Sequence, residues 1–421
     1  MLVVSWIFQQ KRVDKKLPRF SVGKRNYLNI RHVFSRHVFF IFNKIRDRIL
    51  LVRNTIQLEY KNPKKIKGSF IWRVNSKFLS NSNLRVKLGT NLEDQKLLEK
   101  LIRKFGKDKL YFTSGDENKN KFFIWFSRVK EWENQREVKM KYNIQPIETY
   151  KDEENDNLID FFDFSEKLNK KIQLRINFNF DVYETQLQVN SADLKEYNRT
   201  SSLYKRYTKI EKYLEQTEEI KKLAKNIIGK ERDYFKRARK IFYWITENIT
   251  YKYPPQERGV IPTLKNKCGD CGEFSFVFIS LCRSVGIPAR FVSGMWATPI
   301  KKQEFHAWAE FYLENIGWIP VDCSVSQTLK MKTNKEFIRF LEKIENPLNP
   351  GYYFGNLDNK RIIFSKGNNI LLKNCPKKLS KLKMMENCRT LFMQPSSIYP
   401  FVAGKRKGIF IIEINPELNI L

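Results

Sequence analysis

Between residues 276 and 282 almost every side chain is apolar, and Gly286-Ile287-Pro288 closes the segment soon afterwards. A helix that is apolar all round has to be enclosed by protein. Whatever fold the chain adopts, its central domain is therefore built around one buried helix that starts near Cys271. After it the pattern predicts strands over 289–296, 304–313 and 318–322. Before it the spacing predicts helices over 203–228, stopped by Gly229, and over about 231–248, with Phe235, Ala238, Phe242, Ile245 and Ile249 on one face. Ile172, Leu174, Ile176, Phe178, Phe180 and Val182 alternate with polar residues, the period of a half-buried strand.

At 421 residues the chain exceeds a typical domain of roughly 100 to 200 residues. Four segments are expected: a basic, aromatic-rich region over 1–147 with no assignable fold, a β-rich lead-in over 158–200, a catalytic domain over 201–372, and an extension over 373–421. The acidic, polar stretch at 148–157 reads as a linker between the first two. Short apolar runs at 69–72 and 121–126 read as strands, and 92–105 reads as a helix.

The net charge is +34, and residues 1–150 hold roughly 21 of it. Such a field favours an anionic partner, nucleic acid or an acidic membrane surface, although a solvated lysine-rich surface explains the charge equally well. Residues 37–58 mix apolar and basic side chains, as a helix on a membrane surface does. No run approaches the roughly 20 apolar residues of a membrane-spanning helix, and the apolar opening at residues 1–8 is too short for a signal peptide. Six cysteines are few for this length and form no disulfide framework. A reducing, cytoplasmic location is expected.

The chemistry converges on three residues. His306 is the only histidine beyond position 37, Cys271 precedes it in Cys268-Gly269-Asp270-Cys271-Gly272-Glu273, and Asp322 follows in Gly317-Trp318-Ile319-Pro320-Val321-Asp322. A cysteine that opens a helix meets free backbone N–H groups and the positive end of the helix dipole, both of which favour a thiolate. On the expected strand, His306, Trp308 and Glu310 share one face, with His306 turned towards a cleft. The neighbouring strand brings Asp322 against the imidazole to fix its orientation, the arrangement of nucleophile, base and orienter. Gly269 and Gly272 leave room for a substrate backbone. Trp244, Trp296 and Trp308 are candidate second donors to an oxyanion, beside the Cys271 N–H, and Gly272, Trp296 and Trp308 are the expected substrate contacts.

The run from Cys271-Gly272-Glu273-Phe274 to Gly286-Ile287-Pro288-Ala289-Arg290, then His306-Ala307-Trp308, Gly317-Trp318 and Asp322, resembles the transglutaminase-like superfamily. The resemblance covers about residues 203–330. It implies an α+β fold with a papain-like core: a buried helix carrying the cysteine at its start, packed on an antiparallel sheet. It also implies Cys271 as nucleophile, His306 as general base and acid, Asp322 as orienter, and a thioester formed from an amide of a protein or peptide. Water as second acceptor makes a protease or amidase, and an amine makes a crosslinking enzyme.

Other readings compete. Cys268 and Cys271 form a CxxC, but a zinc site needs two more close ligands and no second CxxC or histidine pair stands nearby. Cys268 then supports the loop, Cys282 and Cys323 are small buried residues, and Arg290 anchors its strand through a carboxylate. Trp318 reads as a core aromatic. Cys271-Gly272-Glu273 and Asp322-Cys323 also resemble cytoplasmic peptide N-glycanases, whose upstream zinc-binding cysteines are missing here. The remaining alternative is an inactive scaffold on the same fold. No calcium loop is recognisable, and no cofactor is predicted.

Overall fold

The computed structural model describes residues 56–79, 100, 103–104, 110–114, 120–168, 170–189, 195–298, 305–332, 334–373, 389–390, 398–403 and 407–421. The helix expected over 92–105 and the basic segment 37–58 lie almost wholly outside the described residues. Nearly all described residues belong to one compact unit formed by residues 57–188 and 194–421.

The unit opens with strands β1 (Ile56–Leu79), β2 (Leu110–Ser114), β3 (Lys121–Arg128), β4 (Gln135–Tyr142), β5 (Glu148–Asp152), β6 (Asn157–Asp163) and β7 (Lys171–Val189). Helices α1 (Ser202–Thr208), α2 (Glu218–Ile228) and α3 (Tyr234–Asn248) follow, then β8 (Thr250–Tyr251), α4 (Val260–Asn266), β9 (Cys268–Gly269) and α5 (Cys271–Ser284). Next come β10 (Ala289–Trp296), β11 (Phe305–Leu313), β12 (Gly317–Val321), α6 (Cys323–Met331), α7 (Lys335–Lys343) and β13 (Arg361–Lys366). The chain finishes with β14 (Ile370–Leu371), β15 (Arg389–Thr390), β16 (Ile398–Ala403) and β17 (Lys407–Ile420).

The α+β expectation holds. α5 is buried on every side from Cys271 to Arg283. It starts where the Asp270 carboxylate accepts the Gly272 N–H at 2.8 Å, and it stops at Gly286, whose φ of 79° suits a residue without Cβ. The helix lies on the antiparallel sheet β12-β11-β10-β13. Phe276 stacks on Phe291 of β10 at 5.0 Å, and Phe278 meets Phe311 of β11 edge-on at 6.1 Å. Burying each such ring contributes about 2–3 kcal/mol.

Two further sheets, β2-β17-β1-β7-β4 and β16-β3-β6-β5, close over a second core. Phe70 and Trp72 of β1, Ile124 and Phe126 of β3, and the alternating apolar residues of β7 meet there with Met295 and Phe364 from the central sheet. Trp72 also stacks on Phe305 at 6.2 Å. That contact fixes the start of β11, one residue before His306.

The structure differs from the expected segmentation. Residues 148–157 are a β-hairpin rather than a linker: β5 and β6 pair through Asp152↔Asn157, and Asp152 Oδ2 accepts from the side-chain amides of Asn155 and Asn157 at 2.9 Å each. Polarity there serves a turn. Strands from 1–147, from 158–200 and from 373–421 share one sheet. The helix expected over 203–228 is interrupted after Thr208. Glu211 turns inward to pair with Arg206 and Arg283, and Tyr213 adopts a left-handed φ of 67°.

Candidate active site

β12 pairs with β11 only as far as Ala309↔Val321, so it ends short of residues 305–308. The first turn of α5 meets β11 at this free edge, where the Ala307 N–H lies beside the Cys271 sulfur. Asp322 ends β12 and begins α6. Its Oδ1 caps the helix by accepting the Val325 N–H at 3.1 Å and the Ser324 hydroxyl at 2.9 Å. Its Oδ2 faces His306 Nε2 at 2.7 Å. The three residues that the sequence singled out are thus gathered at one sheet edge, each from a different element.

Electrostatics assigns the protons. Burial opposes the charge on Asp322 most strongly, but the charges and hydrogen bonds of His306 and Arg361 together hold its carboxyl well below the usual carboxylate range. An ionised Asp322 can only accept, so His306 Nε2 carries the proton and Nδ1 is the basic nitrogen.

Cys271 departs from the expectation of a preformed thiolate. Burial pushes its thiol up, and the neighbouring Asp270 carboxylate pushes it further, against the Ala307 N–H. Burial is the larger cause, and the cap adds to it, because Asp270 already places a negative charge at the positive end of α5. Asp270 and Glu273 share Nη1 of Arg258, at 2.7 and 2.8 Å. Burial, followed by the hydrogen bond and charge of Asp270, raises the Glu273 carboxyl to about 8.

The expected cleft beside His306 is filled. His306 is 5% exposed and Cys271 2%, and the imidazole lies 5.2 Å from the Trp296 ring and 6.2 Å from that of Trp308. Both indoles, assigned to substrate contact from sequence, are enclosed and pack on Arg361 instead, 4.2 and 5.3 Å from its guanidinium carbon. Gly294, opposite His306 on β10, makes room for this packing: a Cβ there would lie 2.2 Å from the Ile362 carbonyl oxygen and 2.8 Å from the Trp308 ring. Gly272 is occupied by the Asp270 cap, and a Cβ on Gly269 would meet Glu273 at 2.4 Å. Those glycines admit neighbouring side chains, not a substrate backbone. Trp244 carries the Lys267 ammonium at 5.1 Å.

Arg361 is the residue that the sequence did not reveal. Its Nη1 donates to Asp322 Oδ2 at 2.5 Å and its Nε to Asp358 Oδ2 at 2.8 Å. Asn346 Nδ2 also donates to Asp358, at 3.2 Å. A lone arginine in a chain with 79 lysines and arginines gives no local signal.

Residues 221–323 match the family model of the transglutaminase-like superfamily. This segment is a transglutaminase-like domain. It contains Cys271, His306 and Asp322, whereas Asp358 and Arg361 lie beyond the matched residues. An uncharacterized protein of Haemophilus influenzae is 27% identical over 166 residues, which cover 32% of this chain and 43% of that protein, so the chain spans less than half of that relative's length. Among solved structures, a candidate cysteine protease of Cytophaga hutchinsonii aligns with a TM-score of 0.46 at 13% identity, covering 86% of this chain and all of that one. The periplasmic domain of TgpA from Pseudomonas aeruginosa aligns at 0.31 and 13%, covering 53% and 95%. Red sea bream transglutaminase aligns at 0.25 and 12%, covering 51% and 46%.

Proposed function

We propose that the transglutaminase-like domain is a cysteine-dependent acyl-transfer enzyme that attacks an amide of a protein or peptide and releases the acyl group to water. The observation that carries this reading is the 2.7 Å contact between His306 and Asp322 at the strand edge where the Cys271 sulfur lies. A buried histidine held by a buried carboxylate beside a thiol at a helix start is the geometry of a nucleophile, its base and the base's orienter.

His306 Nδ1 takes the thiol proton as sulfur attacks the amide carbon, so charge separates only when substrate is in place. The resulting oxyanion lies near the first turn of α5, where the Cys271 N–H can donate, a contact worth about 3–4 kcal/mol in comparable sites. The imidazolium then protonates the leaving amine and the thioester forms. Water, deprotonated by His306, completes hydrolysis.

The test offers a glutamine-containing peptide with and without a fluorescent amine. Release of ammonia or a cleaved peptide without incorporation supports hydrolysis, and incorporation supports crosslinking instead. Either activity should fall by about 10⁴-fold or more in Cys271→Ser. Turnover that survives this substitution overturns the reading.

A further inference from the structure

We infer that Arg361 is a positioning residue that acts on the His306–Cys271 pair by sharing Oδ2 of Asp322 with His306. The inference rests on the reading of Cys271 and His306 as nucleophile and base. Three features of the site carry it. The same carboxylate oxygen receives His306 Nε2 at 2.7 Å and Arg361 Nη1 at 2.5 Å. The guanidinium side chain is 0% exposed, so water does not screen its charge. Its other arm is tied to Asp358 and its face to Trp296, which leaves it no alternative position.

The physical consequence has a sign. An imidazolium is stabilised by the negative charge of its carboxylate partner. A permanent cation on the same oxygen spends part of that charge and so works against the thiolate–imidazolium form of the pair. Asp358 tempers the effect, because it neutralises part of the guanidinium charge from the far side. Among the described residues, the groups around His306 are Asp322 at the start of α6, Arg361 on β13 with Asp358 before it, Cys271 on α5 with Asp270 and Glu273 behind it, and Tyr353. Tyr353 Oη is occupied, donating to the Pro347 carbonyl and accepting from Asn346. The carboxylates that weigh most on the sulfur itself are Asp270 and Asp322.

Alkylation of Cys271 by iodoacetamide in the full chain, followed across pH by peptide mapping, tests this without a substrate. In Arg361→Gln the pH at which Cys271 becomes reactive should fall by about one unit, the size expected when one close charge is removed. In Asp358→Asn it should rise, because the whole guanidinium charge then bears on Asp322. A purely structural role would alter the yield of folded protein without moving the two profiles in opposite directions. Arg361→Met combined with Asp358→Asn leaves no unpaired charge and should also shift the profile downward, which covers the case in which Arg361→Gln does not fold. A profile unmoved or raised on loss of Arg361 overturns the inference. His306→Ala separates the two levels. If it leaves Cys271 reactivity unchanged, the nucleophile and base reading itself fails. If it raises the profile while Arg361→Gln does nothing, only the role of Arg361 fails.

Discussion

The central sheet carries two buried ionic networks. At one end His306, Asp322, Arg361 and Asp358 form a chain. Towards the other, Glu310 on β11 binds Arg290 of β10 at 2.7 Å and Lys366 of β13 at 2.9 Å, and Lys366 reaches Glu133 at 3.3 Å. Each network lays a guanidinium against an indole, Arg361 on Trp296 at 4.2 Å and Arg290 on Trp318 at 3.9 Å. Each also ties β10, β11 or β13 to a neighbour. Only the first includes a histidine and meets a thiol. A buried arginine–carboxylate pair is thus scaffold chemistry in this fold. On the proposed function, reactivity arises where one such pair is given a titratable partner at the strand edge beyond β12.

The sharpest way to break the comparison is to delete the central carboxylate of each network. Asp322→Ala should cost about 10³ to 10⁴-fold in amide turnover, by analogy with triads that have lost their orienter. Glu310→Ala should leave turnover per folded molecule within a fewfold, yet lower stability by about 3–5 kcal/mol in urea unfolding, because Arg290 and Lys366 stay buried without it. If both variants lose activity alike, the networks are not functionally distinct.

A pH series sharpens it next. Glu273 borders the thiol, and its carboxyl is raised from 4.5 to about 8. The folded state therefore holds that proton more tightly than the unfolded chain, so this contribution to stability is complete below pH 4.5 and is lost as pH rises through 8. Glu273→Gln keeps a neutral polar side chain, and its unfolding midpoint relative to wild type should climb from pH 4.5 to 8. A constant difference across that range contradicts the assignment. The smallest effect belongs to the far network: Trp318→Leu, which removes the indole under Arg290, should cost about 1–2 kcal/mol in thermal unfolding and leave Cys271 alkylation unchanged.

Legibility from the sequence followed locality. α5, β10, β11 and β12 lie within a residue or two of their expected bounds, because the apolar run, the Gly-Ile-Pro stop and strand alternation are written into neighbouring residues. The same alternation placed Asp322 against His306. The Arg290 anchor was also legible, since it sits directly opposite Glu310 in the β10–β11 register. Arg361 was not, because its partners stand 39 and 3 residues away and only the folding of β13 beside β10 brings it to the first of them. Nor was the neutral state of Cys271. The sequence displays a helix start but not the burial that, with the Asp270 cap, overrides its dipole. The hairpin at β5 and β6 was mistaken for a linker because its buried polar residues serve one another.

β17 pairs with β1 over twelve successive positions, from Gly68↔Ile420 to Leu79↔Ile409. Residues more than 300 apart in the chain must meet to form that ladder, and contacts of such separation are slow to find. During synthesis β1 emerges long before its partner, so it waits with an open hydrogen-bonding edge while the helical segment around Cys271 is already available to fold. β17 therefore acts as the seam of its sheet, joined to β1 across most of the sequence.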